Sequence, residues 1–224
     1  MKFNKKLITI ALVILATTIM AKLAYIGVRK IQIDEFTPAA VMFLVDSSAS
    51  NQKNLPTQRK TLKQICNLLD PEDEIKIIRV SEDAYLIYEG SPLNTSEITK
   101  SMEKFTAYDE KDYGTAYGAG LEKALTHTST MYELGYTPAI IIIGDLENEG
   151  DITKQINWDT LANDIEHAKA NMPEISMMFL GAHPEKLDLV KETLTPILGE
   201  TKLVIGNDQT VDKQIRTFLK TLGR

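Results

Sequence analysis

The stretch that decides the fold reads Val41-Met42-Phe43-Leu44-Val45-Asp46-Ser47-Ser48-Ala49-Ser50. Its five apolar residues have the pattern of a buried β-strand, and they lead directly into a loop of one carboxylate and alternating hydroxyls. Side-chain oxygens of Asp46, Ser48 and Ser50 can turn toward one point at the carboxyl end of this strand, and an all-oxygen set suits a hard cation such as Mg2+. Taken alone, the same residues would also suit a helix cap, because Asp and Ser are favoured there.

Strand-like and helix-like segments follow one another from residue 39 to the C-terminus, and Ser81-Glu82-Asp83 connects two of the strand-like segments. The pattern predicts strands at 39–45, 74–80, 84–88, 139–144, 175–180 and 202–205, and helices at 56–69, 95–105, 116–131, 159–171, 184–194 and 210–221. The three-residue connection permits a hairpin but not a parallel crossover. The sequence therefore predicts an α/β domain with a doubly wound, mostly parallel six-stranded sheet, one antiparallel edge strand and helices on both faces.

Two further segments bear on the chemistry of the first loop. The run Ile140-Ile141-Ile142-Ile143-Gly144-Asp145 is a second buried strand with a carboxylate at its tip, and Thr115 lies in a glycine-marked loop at the start of a helix. We expect the strands 39–45 and 139–144 to be central neighbours, since continuous apolar runs indicate cover on both faces. Asp46 and Asp145 would then face each other at the carboxyl edge, where open α/β sheets bind ligands.

At these residues the chain resembles a von Willebrand factor type A domain with a metal-ion-dependent adhesion site. The Asp-x-Ser-x-Ser element is Asp46-Ser47-Ser48-Ala49-Ser50, and the resemblance extends from about Ala39 to the C-terminus. It implies a Rossmann-like fold and a discontinuous metal site formed by Asp46, Ser48, Ser50, Thr115 and Asp145. One departure is Gly144-Asp145-Leu146, where the family commonly has Thr-Asp-Gly, and we expect it to alter the local loop more than metal binding.

The resemblance implies direct hydroxyl ligands from Ser48, Ser50 and Thr115, with Asp46 and Asp145 acting directly or through water. The expected cation is Mg2+, with Mn2+ or Ca2+ as alternatives, and an open coordination position would accept an acidic side chain of a protein partner. This favours a non-enzymatic binding domain in adhesion or envelope-complex assembly. Two alternatives stay open: a Mg2+-dependent phosphatase of the haloacid dehalogenase type, although that family has Asp-x-Asp where position 48 is serine, and a metal-independent scaffold of the same fold.

The N-terminus has the composition of a membrane-targeting segment. Residues 1–30 contain six basic residues and no acidic one, and apolar runs at 7–21 and 23–28 flank Lys22. We favour an uncleaved signal anchor over a cleaved signal peptide, because the span is long enough for a bilayer and small-x-small cleavage sites are poor. The predicted division is an anchor at 1–30, a linker at 31–38 and the binding domain at 39–224. The domain would lie outside the cytoplasm on a single-pass anchor, or be secreted if cleavage occurs.

The rest of the composition excludes several functions. Residues 31–224 contain 19 lysines and arginines against 31 aspartates and glutamates, a formal net charge of −12, so nucleic acid is a poor partner. The single cysteine, Cys66, is predicted to be a core residue on an apolar helix face. The acidic residues following the second central strand are predicted to form a solvated loop rather than a second cation site, and the three histidines lack metal-ligand spacing. These acidic residues and histidines are Asp145, Glu147, Glu149, Asp151, His127, His167 and His183.

Overall fold

The computed structural model describes residues 37–103, 114–206 and 211–224. Six strands and six α-helices lie in these ranges. The strands are β1 (Ala39–Asp46), β2 (Glu74–Val80), β3 (Ala84–Gly90), β4 (Thr137–Ile143), β5 (Ser176–Leu180) and β6 (Leu203–Gly206). The helices are α1 (Leu55–Cys66), α2 (Thr95–Glu103), α3 (Tyr117–Glu133), α4 (Trp158–Asn171), α5 (Pro184–Leu198) and α6 (Val211–Thr221).

The strands form one mixed sheet in the order β3-β2-β1-β4-β5-β6. All neighbouring pairs are parallel except β2 with β3, so β3 is the antiparallel edge strand that the short Ser81–Asp83 connection predicts. Strand β1 lies between β2 and β4, and Val45 is paired with Ile143 at the carboxyl end. The winding direction reverses at β1 and β4, which confirms them as the central neighbours and puts their carboxyl ends at the switch point.

Two hydrophobic cores cover the faces of the sheet. Alternate residues of β1 enter different cores, with Phe43 in one and Met42 in the other, and every residue of the strand is buried. Helices α1, α2 and α6 contribute to the first core, and α3, α4 and α5 contribute to the second. This two-sided cover explains why β1 and β4 are continuous apolar runs rather than alternating ones.

Several helix ends differ from the sequence prediction. Helix α1 ends at Cys66 rather than at residue 69, because Leu68 and Leu69 donate backbone hydrogen bonds to Ile65 and Cys66, three residues back, which tightens and ends the helix. Helix α5 continues through Pro196 to Leu198 instead of ending at residue 194. The predicted ends of α2 beyond Glu103 and of α6 before Val211 lie outside the described residues.

The predicted signal anchor at 1–30 and most of the linker also lie outside the described residues. Within residues 37–103, 114–206 and 211–224, no helix combines the length and the apolar character needed to cross a membrane. Cys66 is buried in the core with Leu62, Ile65 and Leu69, as its helical pattern predicts.

At the amino ends of the strands, a buried ion pair connects the last residue to the start of the sheet. The Arg224 guanidinium pairs with the carboxylate of Asp73, whose side chain is fully buried. Arg224 Nε also lies 3.2 Å from Asp70 Oδ2. Asp73 accepts further hydrogen bonds from the backbone nitrogens of Ala39 at 2.7 Å and Asp70 at 2.8 Å. One carboxylate therefore joins β1, the turn before β2 and the residue three positions after α6.

Candidate metal centre

The loop after β1 is organised by its own side chains. Ser48 donates its backbone N–H to Asp46 Oδ1 at 2.8 Å, and the hydroxyl oxygens of Ser48 and Ser50 lie 3.1 Å apart. The residues at helix N-cap positions nearby are Asn51, before a short 3-10 helix, and Asn54, before α1. Neither Asp46 nor the two serines occupy a cap position, so capping does not account for their pattern.

Thr115 precedes α3 and is held against the loop that follows β4. Its backbone N–H donates to the carbonyl of Glu149 at 3.0 Å, and the N–H of Ala116 donates to Ser81 at 2.7 Å. The Thr115 side chain is buried, yet its hydroxyl oxygen has no hydrogen-bond partner among residues 37–103, 114–206 and 211–224. Buried hydroxyls normally have one, so this oxygen is available to a bound group.

Asp145 lies two residues after the end of β4 and is also buried. Its Oδ1 accepts the backbone N–H of Glu147 at 2.9 Å, which fixes the carboxylate at the tip of the strand. The negative charges of Asp145 and Asp46, at the carboxyl edge of the β1 and β4 pair, repel each other. Burial, with a contribution from the Asp145 charge, raises the pKa of Asp46 from 3.8 to about 6, against hydrogen bonds from Ser48 and Tyr117 that lower it.

The donor set fits a hard divalent cation. All its atoms are oxygens, from two carboxylates and three hydroxyls, which is the chemistry that Mg2+ prefers. In an octahedral Mg2+ site with bonds of about 2.1 Å, adjacent ligands lie about 3.0 Å apart. The 3.1 Å between the Ser48 and Ser50 hydroxyls matches that spacing, and the unpartnered Thr115 hydroxyl would gain a partner. Ser50 is exposed, so the site opens to solvent.

Sequence patterns did not reveal the part of Tyr117 in this centre. In the helix predicted at 116–131, Tyr117 falls on an apolar stripe with Leu121 and Ala124, a pattern typical of core packing. Its hydroxyl nevertheless donates to Asp46 Oδ2 at 2.9 Å and accepts the backbone N–H of Leu146 at 3.3 Å. Leu146 has a φ of 62°, in the left-handed region that normally favours glycine. The sequence Gly144-Asp145-Leu146, which departs from the family's common Thr-Asp-Gly, is the sequence signal that the loop after β4 differs from that of the family.

The other acidic residues do not join this centre into a larger cluster. Glu147 pairs with Lys186 at 3.5 Å, and Asp151 caps the short 3-10 helix Ile152–Lys154, while Glu149 is exposed. Among residues 37–103, 114–206 and 211–224, no group of three His, Cys, Asp or Glu side chains is arranged to hold a metal ion. The acidic run from Asp109 to Asp112 and the neighbouring Tyr113 lie outside the described residues, and Trp158, at the start of α4, packs against the second core.

The sequence match agrees with this architecture. Residues 41–148, which include all five candidate ligands, match the family model of the von Willebrand factor type A domain. This chain therefore carries a von Willebrand factor type A domain. A search of curated proteins finds no match to the sequence.

Solved structures share the fold at low identity. A von Willebrand factor type A protein from Catenulispora acidiphila is 15% identical with a TM-score of 0.57, over 84% of this chain and 43% of that one. The conserved hypothetical protein BatB from Bacteroides thetaiotaomicron is 15% identical with a TM-score of 0.58, over 83% of this chain and 100% of that one. Proximal thread matrix protein 1 from the mussel byssus, with a zinc-occupied MIDAS motif, is 12% identical with a TM-score of 0.51, over 84% of this chain and 48% of that one.

This chain thus spans less than half of the first and third of these proteins and the whole length of the second.

Proposed function

We propose that this protein is a membrane-anchored von Willebrand factor type A domain that binds a protein partner through a divalent cation at the carboxyl edge of β1 and β4. Ser48, Ser50 and Thr115 would offer hydroxyl oxygens to the cation, and Asp46 and Asp145 would offer carboxylates directly or through water. When bound, Mg2+ keeps a coordination position that an acidic side chain of the partner can occupy. The domain would act in adhesion or in the assembly of an envelope complex.

The observation that carries this proposal is the buried Thr115 hydroxyl, which has no partner in the described part of the chain and belongs to an all-oxygen set of candidate ligands. A buried hydroxyl without a partner destabilises the fold by about 1–3 kcal/mol, and two nearby carboxylates add repulsion. A cation would satisfy the hydroxyl and neutralise the carboxylates together. The zinc-occupied motif of the mussel protein supports metal binding by this fold, and Mg2+ is our choice because every donor is an oxygen.

The partner is inferred from the charge and openness of the centre. Ser50 is exposed, so a protruding acidic side chain can reach the cation, whereas the negative charge of residues 31–224 disfavours nucleic acid. Position 48 is a serine, which leaves the Asp-x-Asp pair of haloacid dehalogenase-type phosphatases incomplete. We therefore propose a binding role without catalysis.

The anchoring part of the proposal rests on residues 1–30 alone. An apolar stretch flanked by Lys2, Lys5 and Lys6 would span the membrane once and keep the N-terminus in the cytoplasm. The domain would then face the outside. Carbonate extraction of membranes tests the anchor: we expect the full chain to remain in the membrane pellet, and its release would contradict anchoring.

Affinity capture from intact cells tests the binding role. The full chain is compared with Thr115→Val in buffer containing Mg2+ and in buffer containing EDTA. We expect a partner that the parent retains only with Mg2+ and that Thr115→Val does not retain. Capture that is indifferent to EDTA would instead support the metal-independent scaffold, and metal-dependent hydrolysis of a phosphate ester that Asp46→Ala abolishes would support the phosphatase.

A further inference from the structure

Tyr117 is the first residue of α3, and its side chain is completely buried. The ring belongs to the core that covers one face of the sheet, with Leu121 and Ala124 one and two turns further along the helix. A phenylalanine would fill that part of the core equally well. The hydroxyl group is therefore the part of Tyr117 that packing does not explain.

That hydroxyl has a hydrogen-bond partner on each side. It donates to Asp46 Oδ2 at 2.9 Å, and it accepts the backbone N–H of Leu146 at 3.3 Å. Ser48 N–H occupies the other oxygen, Asp46 Oδ1, at 2.8 Å. Each oxygen of the Asp46 carboxylate thus accepts at least one hydrogen bond from the protein, and a carboxylate oxygen has lone-pair capacity for a further contact.

The backbone immediately after β4 leaves space for the same hydroxyl. A β-carbon added to Gly144 would lie 2.0 Å from the Tyr117 hydroxyl oxygen and 2.5 Å from Asp46 Cβ. No side chain fits there without displacing one of them. Glycine at 144 is consequently required by tyrosine at 117, because the Tyr117 hydroxyl occupies the space that a side chain at position 144 would fill.

We propose that Tyr117 is a positioning residue of the metal centre, an inference that rests on the proposed metal-binding function. Its hydroxyl fixes the orientation of Asp46 at the end of β1 and holds the backbone of Leu146, the residue after Asp145, at the end of β4. One oxygen atom therefore sets the relative placement of the two carboxylates. Tyr117 does not contact the cation in this proposal; it acts through Asp46 and the Leu146 backbone.

The test compares Tyr117→Phe with the parent in metal binding. The full chain, purified in detergent and treated with EDTA, is titrated with MnCl2 and with MgCl2 by calorimetry. Tyr88→Phe is the matched control, because the Tyr88 hydroxyl donates to the backbone of Ser91, in the loop after β3, which contributes none of the five candidate ligands. We expect Tyr117→Phe to weaken metal affinity about 10- to 100-fold, as loss of a ligand-orienting hydrogen bond does elsewhere, and Tyr88→Phe to change it less than twofold.

A second measurement separates positioning from general loss of stability. Hydrogen exchange of the Leu146 amide is followed in the metal-free parent, in Tyr117→Phe and in Tyr88→Phe. We expect faster exchange at Leu146 in Tyr117→Phe only, while the amides of β1 and β4 stay protected in all three proteins.

The outcomes distinguish this inference from the proposed function. Metal binding by the parent with unchanged or tighter binding by Tyr117→Phe would overturn the positioning role and leave the metal site intact. Equal weakening by Tyr117→Phe and Tyr88→Phe would also overturn it, because a hydroxyl far from the site would matter as much. If the parent itself binds neither metal, the proposed function fails first.

Discussion

Asp46 and Asp145 end neighbouring parallel strands, and their carboxylates interact: burial, with a contribution from the charge of Asp145, raises the pKa of Asp46 to about 6. A pKa above its ordinary value of 3.8 means that the folded protein binds a proton more tightly than the unfolded chain. The stability contributed by this proton is present below about pH 4 and is lost as the pH rises toward 6. At neutral pH the metal-free centre thus destabilises the domain.

Asp46→Asn is therefore expected to stabilise the metal-free protein while it removes the response to metal. At pH 7.5 in EDTA, we expect its free energy of unfolding to exceed that of the parent by roughly 1–3 kcal/mol, since one pKa unit corresponds to about 1.4 kcal/mol. Urea unfolding at pH 4 and at pH 7.5 measures the difference, which should shrink at the lower pH. Glu149→Gln, an exposed change in the loop after β4, is the control and should behave as the parent; a variant less stable than the parent at both pH values would refute the argument.

Leu146 offers a prediction in which glycine is better tolerated than alanine. The residue is buried at a φ of 62°, so both Leu146→Ala and Leu146→Gly lose packing, at about 2–5 kcal/mol for a buried leucine. Glycine alone recovers the cost of the left-handed backbone, about 1–2 kcal/mol. We expect Leu146→Gly to be the more stable of the two by about 1 kcal/mol in urea unfolding, and the reverse order would show that the backbone at 146 is not strained.

The Asp73 and Arg224 ion pair is expected to contribute to stability far from the metal centre. Removing one partner of a buried pair leaves an uncompensated charge and costs about 3–5 kcal/mol. We expect Arg224→Ala to lower the free energy of unfolding by that amount without a change in metal affinity. Lys191→Ala, which removes an exposed pair with Asp188, should cost less than about 0.5 kcal/mol. Equal effects of the two variants would show that Arg224 is not buried in solution.

Cys66 tests the packing of α1 against the sheet. Burial raises the pKa of its thiol from 9.0 to about 12, so at pH 8 the thiolate fraction is about a thousandfold lower than in an unfolded chain. The raised pKa also means that its contribution to stability is present below about pH 9 and is lost above it. We expect negligible reaction with a thiol reagent in the native protein and rapid reaction in urea. Fast labelling of the native protein would contradict the burial of Cys66.

Local sequence patterns predicted most of the fold. Val41 to Val45 and Ile140 to Ile143 were long apolar runs that only a doubly covered strand explains, and the three residues between β2 and β3 left a hairpin as the sole connection. Both are local signals, so element order and the antiparallel edge followed. The predicted end of α1 at residue 69 was wrong. The proline at 71 signals only where a helix cannot continue, whereas the tighter hydrogen bonds donated by Leu68 and Leu69 end the helix earlier.

The parts that the sequence did not predict depend on contacts between distant residues. Tyr117 lies 71 positions from Asp46, and Arg224 lies 151 positions from Asp73. A tyrosine on an apolar helix stripe looks the same whether its hydroxyl meets solvent or a carboxylate, and a terminal arginine shows no pattern at all. The departure at Gly144-Asp145-Leu146 marks this region in the sequence, but its cause is a distant contact, because the Tyr117 hydroxyl occupies the space that a side chain at 144 would need.

The most direct test of the central claim is a calorimetric titration of the EDTA-treated protein with Mn2+, for the parent and for Thr115→Val. The substitution preserves shape and removes a buried hydroxyl that has no partner among the residues the structure describes, so metal-free stability should be unchanged or higher. Thr128→Val, at a buried hydroxyl within α3 that donates to Ala124, is the control. We predict one Mn2+ bound by the parent and by Thr128→Val, with at least tenfold weaker binding by Thr115→Val; equal affinity in the parent and Thr115→Val would contradict a cation site at the carboxyl edge of β1 and β4.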